Sequence, residues 1–381
     1  MSKVLLVDTN RAAVPIYRSL ERWGYEVWVT GKNPSEPLAR ICPRYVRMDY
    51  SNPDAINDLI KKHKFHALVP GCTDVSYQVC AAVGRGRFSG IDTVQATRSL
   101  TNKAEFREMA QQLGISVPKE VGLHEPTRLG SVVIKPVDSY SGRGIEVLRH
   151  PRRVTLAKAL KVARGYSKTK EALIEEFVTG QLYSHSAFLR AGKVLIDFVV
   201  REDGVAHPFA VDTSCLATSF PRAAHISLRK DVERLSKKLS LVDGLIHTQF
   251  IYHAGRYWVI EMTRRCPGDL YSLLIEYSTG FPYATAYAAP FVQQKLPRRP
   301  SRPKFIIRHT ACPKTGDRPF WGISFREEVK MLHFIPLANL GERLPSGPLG
   351  RAALMFLAFP SQTKQTQSYD KLLQRKLYDF S

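Results

Sequence analysis

From Lys3 to Gly71 the chain alternates short, continuously apolar runs with amphipathic stretches, and few architectures accept that alternation. Residues 3–8, KVLLVD, have no polar side to turn to water, so they read as a strand buried on both faces. Arg11 to Trp23 places Ala13, Ile16, Tyr17 and Leu20 on one stripe, which predicts a helix ended by Gly24. A second strand, YEVWVT (25–30), a helix from Ala55 to Lys62, and a third strand, HALVPG (66–71), follow. Strands alternating with helices build an open parallel sheet. Ligands of such sheets sit beyond the carboxyl ends of the strands. Asp8-Thr9-Asn10 and Gly71-Cys72-Thr73-Asp74 are therefore expected beside a crevice. The first strand is not followed by G-x-G-x-x-G, and G-x-x-x-x-G-K-[ST] occurs nowhere. Those absences disfavour a dinucleotide-binding Rossmann site and exclude a P-loop.

The 381 residues suffice for two or three domains, and 44% hydrophobic with 24% charged residues is an ordinary globular balance. The longest apolar candidate, Ala352 to Phe359, falls far short of the roughly 20 residues of a membrane helix, so no membrane insertion is expected. MSKVLLVDTN enters a strand at once, without a signal-peptide pattern, and a cytoplasmic location is expected. Six scattered cysteines with no C-x-x-C pair read as reduced thiols. A formal charge of +22 favours anionic partners. The densest basic run, KLPRRPSRPK (295–304), lies among prolines, no common nucleic-acid motif is visible, and no specific nucleic-acid partner is expected.

Four later stretches carry chemistry. TNKAEFREMAQQL (101–113) is an amphipathic helix stopped by Gly114. SVVIKPVDSYSGRGIEVL (131–148) is a strand delivering Lys135, then a glycine-containing loop and a returning strand. Glycines let backbone N–H groups cradle a phosphate, and a lysine at the strand end adds a point charge. ALIEEFVTG (172–180) ends a strand in two adjacent acids, at least one of which must be exposed or paired. The backbone of Glu176 and Val178 could take a purine edge. LIHTQFIYHAGRYWVIEMTRRCPGD (245–269) reads as a hairpin turning at Gly255. Strand alternation puts Ile260 and Met262 toward a core and Glu261, Thr263 and Arg265 on the opposite face, with Gln249 across from Glu261 and His247 beside it. A carboxylate there can hold Mg²⁺, and a guanidinium two residues on can hold a phosphate or carboxylate.

In joint order and spacing these features resemble the ATP-grasp superfamily. The resemblance spans about residues 1–290 and is carried by NKAEFREMAQQLGISVP (102–118), VVIKPVDSYSGRGI (132–145), LIEEFVTG (173–180) and HTQF…VIEMTRRCPG (247–268). By pattern it is nearest the carbamoyl-phosphate-synthetase-like and biotin-carboxylase-like branch, which includes stand-alone carboxylate–amine ligases. The resemblance implies an α/β and α+β fold. A parallel pre-ATP-grasp domain (1–97) would precede a two-subdomain ATP-grasp domain (98–170 and 171–294). A basic linker, a small β-rich extension and a tail (295–381) would follow.

It further implies ATP and Mg²⁺ as cofactors. Lys103 and Lys135 would contact phosphates, and the loop with Ser139, Ser141, Gly142 and Gly144 would close over them. The hinge Glu175, Glu176, Phe177 and Val178 would take the adenine. Gln249, Glu261 and Thr263 would hold the metal, with Glu261 and Arg265 at the reacting groups. Arg264, Arg222 and Asp269 are candidate substrate contacts. The chain departs from the family pattern at Gln249, where an acid is usual, and at Thr263, where an asparagine is usual, so the metal site has one negative charge fewer. The implied partners are ATP, a small carboxylate such as an amino acid, and an amine; a homodimer is the default assembly. Two alternatives fit the same residues: a carboxylase working through carboxyphosphate, and an ATP-binding regulatory protein with a weakened metal site.

Overall fold

The protein is described by a computed structural model covering residues 1–84, 86–122, 130–139, 142–206, 209–297, 303–313, 316 and 318–381. The amino-terminal apolar runs become parallel strands β1 (Lys3–Val7), β2 (Glu26–Gly31), β3 (Tyr45–Arg47) and β4 (Ala67–Pro70), ordered β3-β2-β1-β4. Val4 to Val7 are fully buried, as their unbroken apolar character requires. Helices α1 (Val14–Arg22), α2 (Pro37–Ile41), α3 (Pro53–His63) and α4 (Asp74–Gly84) connect and flank these strands. The helix expected from Arg11 opens instead with a 3₁₀ turn, Arg11–Ala13, capped by the Asn10 side chain, and α1 proper starts at Val14. Pro15 lies in its first turn, where a missing N–H breaks no bond. At the carboxyl ends of β1 and β4, the buried Asp8 carboxylate accepts from the N–H groups of Asn10 (3.0 Å) and Cys72 (2.7 Å).

Helices α5 (Val94–Thr101) and α6 (Lys103–Gln112) lead out of this domain, with the Asn102 side chain capping α6. A three-stranded antiparallel sheet follows, ordered β6-β5-β7, from β5 (Ser131–Pro136), β6 (Glu146–Arg149) and β7 (Ala172–Glu176). Helix α7 (Arg153–Tyr166) buries Leu156, Ala159, Leu160 and Ala163 against Val132, Ile134 and Ile174.

The largest element is an eight-stranded antiparallel sheet. It runs from β12 (Arg256–Thr263) through β11 (Gly244–His253), β8 (Gln181–Arg190), β9 (Lys193–Asp203), β10 (Thr213–Leu216), β13 (Phe305–Ala311) and β18 (Ala353–Phe359) to β16 (Lys330–Pro336). One face packs on α8 (Arg222–Leu239) through Ala187, Val199, Leu228 and Val232. The other carries α9 (Tyr271–Thr279) and α10 (Tyr283–Ala288), which join Phe188 and Phe198 to the core of the amino-terminal domain. Two short antiparallel pairs, β14 (Arg318–Pro319) with β17 (Arg343–Leu344) and β15 (Ile323–Phe325) with β19 (Tyr378–Phe380), and the docked helix α11 (Gln362–Leu373), complete the chain.

The carboxyl-terminal segment is β-rich, as expected, and it continues the central sheet, because β10 pairs with β13 and β13 with β18 in one ladder. The unpaired edge that β10 would otherwise expose is thereby covered. Of the basic run 295–304, residues 298–302 lie outside the described residues. Among the described residues no helix is long and apolar enough to cross a membrane, and all six cysteines are unpaired and buried.

Candidate active site

The hairpin β11–β12 forms in the expected register, with Gln249 opposite Glu261 and His247 opposite Thr263. The ladder then slips between Gln249 and Phe250, because Phe250 pairs with Val259 and Ile260 is the extra residue of a bulge. The alternation read from the sequence therefore fails at Ile260. Val259 takes the core position, while Ile260 is half-buried and lines a cleft. The same cleft is lined by Lys103, Glu261, Thr263 and Arg265, together with Asp74 from the amino-terminal domain. Asp74 accepts from Arg265 Nε at 3.0 Å and from Thr263 Oγ1 at 3.2 Å. The crevice expected after β4 and the charged face of the hairpin are thus two walls of one site.

Lys103 begins α6, and its Nζ donates to the Ser139 carbonyl at 2.7 Å, so it tethers the start of the glycine loop. Ser139 Oγ donates to the Arg143 carbonyl. Gly142 and Gly144 both have left-handed backbones, at φ of 70° and 74°. A Cβ at Gly144 would lie 2.8 Å from Tyr166, so the loop needs glycine there for space as well as for φ. Ser141 lies outside the described residues.

Lys135 is only 4% exposed. Its Nζ lies 2.5 Å from Glu175 Oε2, while Arg107 Nε donates to Glu175 Oε1 at 2.7 Å. Two cations share one carboxylate. That explains why both ends of the ion pair shift downward. Burial and the Arg107 charge push the Lys135 ammonium down to about 8. Glu175 sits below its ordinary range despite burial, because both cations favour its charge. Arg107 also donates through Nη2 to the carbonyl of the bulged Ile260 at 2.8 Å, and its buried Nη1 has no hydrogen-bond partner among the described residues. Arg107 carried no signal in the sequence, since an arginine within an amphipathic helix usually faces water.

Both oxygens of Glu175 are thus engaged within this triad. Glu176 is half-buried and its side chain accepts from Lys119 N. The Glu176 N–H reaches the Lys119 carbonyl, and the Phe177 N–H reaches that of Ser131, so the hinge is anchored on two sides. The Phe177 side chain is exposed.

The proposed metal ligands separate. Glu261 and Gln249 are half-buried neighbours across the hairpin. Gln249 Nε2 donates to Glu202 Oε2 at 2.8 Å, which identifies its Oε1 as the acceptor end. Thr263 has its hydroxyl turned to Asp74. Glu202, on β9, went unnoticed in the sequence; burial raises its carboxyl above the ordinary range, with the Glu261 charge adding to the effect. The donors present are carboxylate and amide oxygens, the kind Mg²⁺ takes. His247 is buried and neutral, pushed down to about 3 by burial and by Arg265, and its Nδ1 bonds Ser186.

The three candidate substrate contacts also part company. Arg264 is 3% exposed and spends Nε on Asp92 (2.6 Å), Nη1 on the Leu245 carbonyl and Nη2 on that of Val242. It is an internal strut and has no free face for a substrate. Arg222 is exposed at the first position of α8. Asp269 is half-exposed and joins Arg308 (3.5 Å) and Arg351 (3.3 Å) from the carboxyl-terminal strands and loop.

Residues 130–272 match the family model of the ATP-grasp domain. The formate-dependent phosphoribosylglycinamide formyltransferases of Burkholderia mallei (strain SAVP1) and Rhodococcus jostii (strain RHA1) are 26% and 28% identical over 187 residues, 46% of this chain and 46% of theirs. The chain spans about half the length of the curated relatives it matches. Among solved structures, phosphoribosylglycinamide synthetase from Anaerococcus prevotii superimposes over 100% of this chain and 99% of its own, with TM-score 0.78 at 14% identity. L-amino acid ligase from Bacillus licheniformis covers 100% and 98%, with TM-score 0.78 at 18% identity. The fold is shared across the whole chain.

Proposed function

We propose that the chain, whose residues 130–272 match the ATP-grasp domain model, is an ATP- and Mg²⁺-dependent carboxylate–amine ligase acting through an acyl phosphate. One observation carries the reading: Lys103 from one stretch of sequence and Glu261 and Arg265 from another line a single cleft, which Asp74 of the amino-terminal domain also lines. A cation for phosphate, a carboxylate for metal and a guanidinium for an anionic substrate are the parts that phosphoryl transfer to a carboxylate needs.

Lys103 and Lys135 hold the ATP phosphates beneath the loop of Ser139, Gly142 and Gly144, while the Glu176 carbonyl and the Val178 N–H take the purine edge. A Mg²⁺ ion, if held here, would neutralise charge on the transferred phosphoryl group. Glu261 and Gln249 supply oxygens for it, a site that Thr263 does not join while its hydroxyl serves Asp74. Arg265, braced by Asp74, orients the substrate carboxylate. An oxygen of that carboxylate attacks the γ-phosphorus and ADP leaves. The amine nitrogen then attacks the acyl carbon, the C–O bond to phosphate breaks with its electron pair, and the amine proton passes to solvent. Closing the loop over the cleft protects the acyl phosphate from water. The substrate class is an amino acid or a similarly small carboxylate.

The depleted metal site at Gln249 and Thr263 is the one feature that favours an ATP-binding regulatory protein instead. A single assay separates the two readings. ADP release is measured with ATP and Mg²⁺ across a grid of amino acids, small carboxylates and amines, with Lys135→Ala and Glu261→Ala as controls. Release that depends on a carboxylate–amine pair and vanishes in both variants is the expected result. Tight ATP binding with no release across the grid would support the regulatory reading, and absence of ATP binding would overturn both.

A further inference from the structure

Gln249 stands where the resemblance leads one to expect an acid, and the structure contains a carboxylate beside it. Gln249 on β11 is flanked by Glu261 on β12 and by Ser184 on β8. On the far side of Ser184, the Glu202 carboxylate from β9 reaches back across β8 and accepts from Gln249 Nε2 at 2.8 Å. Glu202, Gln249 and Glu261 therefore form a row of oxygen donors on one face of the central sheet. Glu202 is 3% exposed. Among the described residues no basic side chain comes within 4.0 Å of it, although Arg308 acts on it from farther away. A buried carboxylate whose near partners are the neutral Gln249 amide and Ser184 hydroxyl, with no cation in contact, is costly.

We infer that Glu202 is the displaced second carboxylate of the metal site, and that it replaces from β9 the negative charge that Gln249 lacks on β11. The cation then lies among Glu202, the Gln249 Oε1 atom and Glu261, with the Gln249 amide pinned between the two acids. The charge count of the site is restored by a residue 47 positions away in sequence. The inference rests on the reading of the cleft as a site for Mg²⁺-nucleotide, and its test separates the two.

The full-length protein is titrated with Mn²⁺, a paramagnetic stand-in for Mg²⁺, in the presence of ADP, and free Mn²⁺ is read by electron paramagnetic resonance. Glu202→Gln is expected to weaken Mn²⁺ binding about tenfold or more while ADP alone binds as before. It is also expected to raise the melting temperature of the metal-free protein, because it removes an unpaired buried charge. The exchange Glu202→Gln/Gln249→Glu is expected to recover the Mn²⁺ affinity. A merely structural Glu202 would give the opposite pattern: unchanged Mn²⁺ affinity, a lower melting temperature and no recovery by the exchange; that pattern overturns the inference. Should Glu202→Gln fail to fold, Glu202→Asp keeps the charge and withdraws the oxygens by one methylene. Unchanged Mn²⁺ binding in that variant overturns the inference equally. A wild-type protein that binds neither ADP nor Mn²⁺ would defeat the nucleotide reading, and this one with it. A wild type that binds both, alongside a Glu202→Gln variant that binds both equally well, would defeat this one alone.

Discussion

Replacing Glu175 by glutamine would strike the structure and the chemistry of the cleft at the same point. The wild-type carboxylate neutralises two cations, Lys135 at 2.5 Å and Arg107 at 2.7 Å, and all three side chains are almost wholly buried. Glu175→Gln keeps the shape and removes the charge, so two buried cations face each other. Breaking a buried ion pair by deleting one partner costs about 3–5 kcal/mol. At a urea slope of about 2–3 kcal/mol/M, the unfolding midpoint falls by more than about 1 M. The second effect is on Lys135. Its ammonium titrates near 8 because burial and Arg107 oppose the charge while Glu175 supports it. One further unit downward is about 1.4 kcal/mol, less than the loss of a contact ion pair supplies. Lys135 of the variant then discharges near or below neutrality. Nucleotide affinity is expected to weaken only above about pH 8 in the wild type and, in the variant, to strengthen as pH falls from 8 to 6. Titrations of a fluorescent ATP analogue at pH 6, 7, 8 and 9, beside urea unfolding, measure both effects. The same pH profile and the same urea midpoint in wild type and Glu175→Gln would refute the account of this triad.

Other perturbations test separate parts of the argument. Arg264→Met should destabilise the fold by about 3–5 kcal/mol in urea unfolding, because it strands buried Asp92 and the Val242 and Leu245 carbonyls; nucleotide binding by the remaining folded protein should persist, which a substrate contact does not require. Asp8 is held protonated up to about pH 6 by burial, whereas in the unfolded chain it ionises near 3.8. The native state therefore binds the extra proton between about pH 4 and 6, and this group's contribution to stability falls by up to about 3 kcal/mol as pH rises through that window. Urea unfolding of wild type and Asp8→Asn at pH 4.5 and 7 should show the slope in the wild type and lose it in the variant.

Much of this protein was legible in its residues because the relevant physics is local. A short, continuously apolar run between polar residues reads as a doubly buried strand, and Val4 to Val7 of β1 are one. Turn chemistry and alternation set the register of Gln249 against Glu261 before any tertiary contact is known. The Lys135 strand end and the charged face of β12 follow from short-range pattern in the same way. What the residues could not reveal are contacts whose partners lie far apart in the chain. Arg107 and Glu175 meet across 68 positions, Asp74 and Arg265 across 191, and Arg264 and Asp92 across 172. Two neighbouring arginines, 264 and 265, look equivalent in sequence. Their opposite fates, one a buried strut and one a wall of the cleft, are set by which acid of the amino-terminal domain each strand face meets. The bulge at Ile260 and the union of β10 with β13 are likewise tertiary outcomes, since a slipped ladder and a covered sheet edge depend on the partner strand rather than on the strand itself. Residue type and spacing determined what chemistry the chain could host; long-range pairing decided which side chains are free to perform it.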